Sequence, residues 1–220
     1  TQISGTWAAS QFAGGGGIKA VKSDGTFWCW GTGSNGGFGL NNQVQYSSPT
    51  QVGTDTDWGT GDGMVGGTDY ASLMIKTDGT LWSFGTNEYG ELGHNNKINK
   101  SSPTQIPGTT WATVGRSGLF NSSAIKTDGT LWTWGRNSVG QLGHNNPDNQ
   151  HRSSPTQVPG TTWDRVQSGT YRNTMATKTD GTLWIWGTNT GGVLGQNNNT
   201  QYSSPRQIPG TTWATGSYKF

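Results

Sequence analysis

The 220-residue sequence has one cysteine, Cys29, which excludes an internal disulfide framework and a cysteine-based zinc site. Glutamate is nearly missing. Glu88 and Glu91 are the only two, which leaves little from which to assemble a general acid/base pair. Charged residues make up 12% and hydrophobic residues 29%, against about 25% and about 45–50% in average domains. A net charge of +2 gives no electrostatic footprint for nucleic acid. No apolar run approaches the ~18 residues of a membrane span, and no signal peptide is visible at the start. Helical periodicity is missing throughout.

What is present is neutral and polar: 37 Gly, 33 Thr, 20 Ser and 17 Asn, with 12 Trp among them. A disordered chain would be rich in Glu and Lys and poor in aromatics. The tryptophans are placed by a repeat. Asp-Gly-Thr recurs at Asp24, Asp78, Asp128 and Asp180, and Ser-Ser-Pro recurs from Ser47, Ser101, Ser153 and Ser203, at spacings of 50 to 54. A Trp after a Gly-Thr-Thr-like stretch recurs at Trp7, Trp58, Trp111, Trp163 and Trp213. The other seven are Trp28, Trp30, Trp82, Trp132, Trp134, Trp184 and Trp186, so every tryptophan is a repeat position.

Each unit reads as strand, Asp-Gly turn, strand, Gly/Asn-rich loop and a Pro-bearing edge strand. Asp-Gly between alternating runs predicts a type I′ hairpin with both central residues at φ > 0. Alternation places Trp132 and Trp134 on one face, with Leu131 and Thr133 on the other. Phe84 stands in for the second Trp of its unit. About four strands in about 52 residues, repeated, predict an all-β fold built of β-propeller blades. The units run approximately 7–57, 58–110, 111–162 and 163–212, with 213–220 starting a fifth, all in one domain. Four hairpins with five connecting segments lead to the expectation that these units belong to a larger ring or array.

The series Lys-Thr-Asp-Gly-Thr-Leu-Trp-x-Trp-Gly-x-Asn-x-x-Gly-Gln-Leu-Gly, complete over its last ten positions from Trp134 to Gly143, resembles the repeat of the RCC1-like propellers, the regulator of chromosome condensation family. The first unit departs from it, with Gly33 in the Asn place and Phe38 in the Leu place. The resemblance implies a binding platform that presents loops to partners. Short units, few Lys outside the repeat and many Thr, Asn and Gly look like bacterial, viral or environmental members exposed outside cells.

Most candidate chemistry dissolves into the repeat. Gly31-Thr32-Gly33-Ser34-Asn35-Gly36 matches a dinucleotide motif but opens no helix. It reads as a turn whose Gly33, like Asn87, Asn137 and Asn189 in the sister units, wants φ > 0. Asp55, Asp57, Asp62 and Asp69 form an acidic loop short of the EF-hand pattern, with Gly66 where Glu is required. His94 and His144 share a position also held by Leu40 and Gln196, which is not how a ligand behaves. The repeated Trp read as packing between blades, and Asp24, Asp78, Asp128, Asp180, Trp28, Trp82, Trp132 and Trp184 as structural positions.

The variable feature is an aromatic residue before each hairpin: Phe12, Tyr70, Phe120 and Tyr171, with Arg116 and Arg172 nearby. Such residues are typical anchors of interfaces. With Tyr89 they form the expected partner-binding set. The function expected is a non-enzymatic scaffold or adhesion module of a cell surface or virion, binding protein or glycan, without cofactor or metal. The alternatives are a guanine-nucleotide exchange factor type regulator of a small GTPase, and a lectin-like propeller. No nucleic-acid partner or membrane span is expected; either self-assembly or membership of a larger chain is.

Overall fold

The computed structural model describes residues 4–14, 17–33, 36–68, 70–117, 120–146, 150–169 and 172–213, with only the backbone at 9–14 and 117. Four antiparallel blades follow one another. Blade 1 holds β1 (Trp7–Gly14), β2 (Gly17–Lys22), β3 (Phe27–Gly31) and β4 (Tyr46–Gln51). Blade 2 holds β5 (Val65–Gly67), β6 (Ala71–Ile75), β7 (Leu81–Gly85) and β8 (Lys100–Ile106). Blade 3 holds β9 (Trp111–Val114), β11 (Asn121–Lys126), β12 (Leu131–Gly135) and β13 (Arg152–Gln157). Blade 4 holds β14 (Trp163–Ser168), β15 (Asn173–Lys178), β16 (Leu183–Gly187) and β17 (Tyr202–Ile208). The two-residue β10 (Arg116–Ser117) pairs in parallel with both β5 and β14, so the inner edges of blades 2 and 4 join one nine-stranded ladder. A 3-10 turn spans Thr190–Gly192.

The hairpin turn differs from the expected type. Gly25, Gly79, Gly129 and Gly181 have φ of 75 to 78°, but no turn Asp has positive φ. Gly25 N–H donates to the Lys22 carbonyl, and Lys22 N–H to the Thr26 carbonyl, each at 2.9 Å. This is a three-residue loop ending in a left-handed glycine, the other common hairpin connection. Asp serves through its side chain instead. Asp128 Oδ1 accepts from Thr130 N–H (2.9 Å) and Thr130 Oγ1 (2.7 Å), and Thr130 Oγ1 accepts the Trp132 indole N–H (2.9 Å). The same chain runs Asp24–Thr26–Trp28, Asp78–Thr80–Trp82 and Asp180–Thr182–Trp184.

A lysine four residues before each Thr completes this outer corner. Lys126 Nζ lies 4.9 Å from the Trp111 ring and 4.4 Å from the Trp132 ring. Lys22, Lys76 and Lys178 sit likewise between Trp7 and Trp28, Trp58 and Trp82, and Trp163 and Trp184. Trp132 is therefore half-buried, whereas Trp134 is fully buried and its indole N–H donates to the Glu91 carbonyl of blade 2.

The core lies between blades, as stacked repeats require. Three apolar clusters each take side chains from two neighbouring blades. Phe27 and Phe38 meet Trp58 and Phe84; Leu73 and Ile106 meet Trp111 and Trp134; Leu131 and Val158 meet Trp163 and Trp186.

The Asn places also correct the sequence reading. Gly33, Asn87, Asn137 and Asn189 do not have positive φ; Asn41, Asn95, Asn145 and Asn197 do, at 54 to 57°. Asn87 is required for its side chain, which accepts Leu92 N–H (2.9 Å) and donates to the Asn96 and Ile98 carbonyls. In blade 1 the Phe38 ring fills that space, and a Cβ on Gly33 or Gly17 would collide with it. Phe38 and Gly33 thus depart from the repeat together.

Candidate functional site

The acidic loop does not form a site. Asp55 and Asp57 pair with Lys76 at 2.7 and 3.0 Å, and Asp62 pairs with Arg165 of blade 4 at 3.2 Å. Asp69 lies outside the described residues. Among the described residues, no three His, Cys, Asp or Glu side chains are placed to hold a metal. His94 and His144 are turn residues: their Nε2 atoms sit 2.9 and 3.0 Å from Ser83 Oγ and Thr133 Oγ1, and burial lowers both pKa values. The Cys29 thiol is buried, and burial pushes it up to about 12.

The residues that converge are aromatic. Tyr70 and Phe120 hold the same place, immediately before β6 and β11. Their carbonyls accept the N–H of Thr86 (2.9 Å) and Arg136 (2.7 Å), which ties the pre-strand loop to the loop after the next strand. Phe120 has φ 43°, a left-handed conformation that an aromatic residue adopts at a cost. Its ring stacks on Tyr70 with centroids 5.6 Å apart and planes 15° off parallel. Tyr89, on the Gly/Asn-rich loop of blade 2, packs on Phe120 at 5.1 Å and meets His151 edge-on at 5.0 Å. The Arg136 guanidinium covers this group, 4.8 Å from Tyr89 and 5.9 Å from Phe120. Tyr70 is 41% exposed, while Tyr89, Phe120, Arg136 and His151 are half-buried.

Charge and hydrogen bonding hold the patch. Glu91 Oε2 accepts Tyr89 N–H at 2.7 Å from a fully buried position under it. Burial raises the Glu91 carboxyl to about 7. His151 Nδ1 accepts Asn137 N–H at 3.0 Å, a role of the neutral ring, and burial followed by the Lys97 and Arg136 charges lowers its pKa. The hydrogen bond to Glu88, then burial, raises the Tyr89 phenol.

Of the expected partner-binding residues, Tyr70, Tyr89 and Phe120 come together. Phe12 lies within β1 opposite Lys19, so it does not share the Tyr70 place; its side chain is outside the described residues. Tyr171 lies outside the described residues too. The blade 4 residue at the Tyr70 place is Arg172, with φ 63° and its carbonyl 3.1 Å from Thr188 N–H. Arg116 is elsewhere, on β10 at the inner edge, lining a cavity of about 50 Å³ with Asp62, Arg165 and Gln167. Sequence reasoning missed Arg136, His151 and Glu91. The signal was their departure from the repeat: Arg136 replaces the Thr of Thr32, Thr86 and Thr188, and His151 does for Asn137 N–H what Asn99 does for Asn87 N–H.

Known proteins share both repeat and arc. The regulator of chromosome condensation (RCC1) repeat matches residues 78–114, 128–171 and 180–215. The chain belongs to the RCC1 repeat family. It is similar to the X-linked retinitis pigmentosa GTPase regulator homolog of Caenorhabditis elegans, 32% identical over 93 residues, which are 41% of this chain and 6% of that protein. Prp20p from Saccharomyces cerevisiae superposes with a TM-score of 0.80 at 16% identity, over 96% of this chain and 52% of that one. Human WBSCR16 gives 0.77 at 21% identity, over 96% and 55%. The chain spans about half the length of these solved RCC1-like structures, and the likeness to them is one of fold.

Proposed function

We propose that the chain is a non-enzymatic docking module whose loop face, above the junction of blades 2 and 3, binds a protein partner. The observation that carries this is the Tyr70–Phe120 stack: an exposed Tyr70 laid on a half-buried, left-handed Phe120 that Arg136 caps. Exposed Tyr and Arg on a rigid scaffold are the residue types on which interface energy concentrates. Display selection of peptides against the wild-type chain tests it. Binders that lose at least tenfold in affinity with Tyr70→Ala and Tyr89→Ala support the reading; binders indifferent to both overturn it. Exposure on a cell surface or virion, of a bacterial, viral or environmental protein, is part of this proposal, read by protease shaving of intact particles.

Two alternatives have specific support. A relative carries the name of a GTPase regulator homolog, and the solved Prp20p structure is titled with its binding to Gsp1p and histones. A stable complex with a nucleotide-free small GTPase would favour that reading. A lectin-like role is supported by an open groove of about 540 Å³ between blades 2 and 3, lined by Trp132, Lys126, Gln105, His94 and Asn95. Glycan-array binding abolished by Trp132→Ala would favour it.

A further inference from the structure

The outer corner recurs from blade to blade, but its lysine is not answered in the same way. In blade 2, Asp55 and Asp57 close on Lys76 at 2.7 and 3.0 Å, so that charge is met within the chain. Asp57 stands immediately before Trp58, and its carbonyl accepts Thr77 N–H. Thr110 and Thr162 hold the same place before Trp111 and Trp163, where their carbonyls accept Thr127 N–H and Thr179 N–H. A threonine brings no charge. Among the described residues, no carboxylate comes within ion-pair distance of Lys126 or Lys178. Asp128 and Asp180 feel those lysines, but their Oδ1 atoms are held by Thr130 and Thr182.

Lys126 also lines an opening. The groove of about 540 Å³ between blades 2 and 3 is walled by His94, Asn95, Gln105, Trp111, Lys126 and Trp132, with no acidic residue and no Val, Leu, Ile or Met. Its volume is in the range of small-molecule sites, about 300–1,000 Å³. Trp111 is 3% exposed, and its indole N–H, beside Gly108, has no acceptor. The junction of blades 3 and 4 carries the same six residue types as His144, Asn145, Gln157, Trp163, Lys178 and Trp184. Lys178 Nζ lies 4.7 Å from the Trp163 ring and 4.9 Å from the Trp184 ring, and the Trp163 indole N–H again lacks an acceptor. The junction of blades 1 and 2 differs in two ways: Leu40 replaces the histidine, and Lys76 is paired. The Trp58 indole N–H lacks an acceptor as well, so it is the lysine charge that sets the junctions apart.

We propose that the junctions of blades 2 and 3 and of blades 3 and 4 each bind a saccharide that carries a carboxylate. Lys126 and Lys178 meet the acid, while the amide, imidazole and indole groups meet the sugar hydroxyls and ring. This rests on the lectin-like reading and names its ligand class. An acid entering the groove makes the charged pair that blade 2 makes internally. A wall of neutral hydrogen-bonding groups and flat indoles, without an aliphatic pocket, suits a sugar better than the side chains of an acidic peptide.

Two-dimensional NMR of the indole N–H groups tests this, on the 220-residue chain titrated with the disaccharide glucuronyl-glucose. The expected result is saturable movement of the Trp111 and Trp163 signals, with Trp58 unmoved. The neutral disaccharide of glucose binds about tenfold more weakly or worse. Thr110→Asp gives blade 3 the carboxylate that blade 2 has. That variant and Lys126→Gln each abolish the response of Trp111 and leave that of Trp163, which a misfolded chain would not do. Equal binding of the two disaccharides, indifferent to Thr110→Asp, overturns the role of the acid and leaves the lectin-like reading standing. Indoles silent to both sugars overturn that reading and the proposal together. Trp58 moving alongside Trp111 overturns the role of the unpaired lysine, and a triglutamate peptide as effective as the uronate overturns the choice of a saccharide.

Discussion

The junction of blades 2 and 3 and that of blades 3 and 4 are built on one plan and differ at a few side chains. In the first, the Glu91 carbonyl accepts Ser122 Oγ (2.7 Å) and the Trp134 indole (2.8 Å); in the second, the Gln141 carbonyl accepts Thr174 Oγ1 (2.8 Å) and the Trp186 indole (2.9 Å). The side-chain oxygens of Glu91 and Gln141 each accept a loop N–H, from Tyr89 at 2.7 Å and Val139 at 2.9 Å. Only the first junction adds an ionisable group beneath the loop and an aromatic group capped by Arg136 above it. Packing common to both is scaffold, and what one junction adds marks the face available for recognition. In a repeat protein the sister units are an internal control.

Trp134→Ala and Trp186→Ala set the scale of the shared part. Each removes a fully buried indole and leaves a buried carbonyl with one donor fewer, so each should cost about 3–5 kcal/mol in denaturant unfolding. The two losses should agree within about 1 kcal/mol. A much smaller loss at Trp134 would break the equivalence of the junctions.

Glu91→Gln sharpens the comparison next, because it turns the first junction into the second. The Glu91 carboxyl stands at about 7 against an ordinary 4.5, through burial. A raised acid pKa means that the folded chain holds a proton the unfolded chain releases. Its stabilising effect is complete below about pH 4.5 and lost as pH rises through about 7. The neutral amide has no such loss. The variant should match the wild type near pH 4.5 and exceed it at pH 8 by about 3 kcal/mol. Parallel stability curves between those pH values would show that Glu91 is ionised without cost.

The outer corner gives a smaller effect. Trp132 is half-buried, hydrogen-bonded to Thr130 and covered by Lys126. Trp132→Ala should cost about 1–2 kcal/mol, the sum of partial burial and a cation–π contact. A loss as large as that of Trp134→Ala would mean that the two tryptophans are buried alike, as their strict repetition in sequence suggests.

The blades were legible because their cues are local. Spacing, Asp-Gly and alternation act over a few residues, and each cue returns four times. Burial of Trp132 against Trp134 was not legible, because it depends on which face the neighbouring blade covers and on a lysine across the hairpin. Type I′ was read where a left-handed glycine closes a three-residue loop, since Asp-Gly suits both. The site was half legible. Tyr70, Tyr89 and Phe120 were found as aromatics that leave the repeat background, while Arg136 and His151 left it too but look like ordinary polar loop residues. Tyr171 was counted one place early: counting back from the turn Asp matches Tyr70 and Phe120 with Arg172.

The smallest effect separates two accounts of the repeated aspartate. If Asp128 were required for its backbone conformation, Asp128→Asn would serve as well as Asp and Asp128→Gly better. The structure gives Asp128 no positive φ, and its carboxylate accepts both donors of Thr130. Those hydrogen bonds, the side-chain one first, hold its pKa below the ordinary value, so the bonding favours the ionised form. Asp128→Ala should therefore destabilise less than Trp132→Ala, and Asp128→Gly no less than Asp128→Ala. The wild type should also lose this increment as pH falls through the lowered pKa, whereas Asp128→Asn should not. A difference between wild type and Asp128→Asn that does not vary with pH would show that the turn uses Asp for its shape alone.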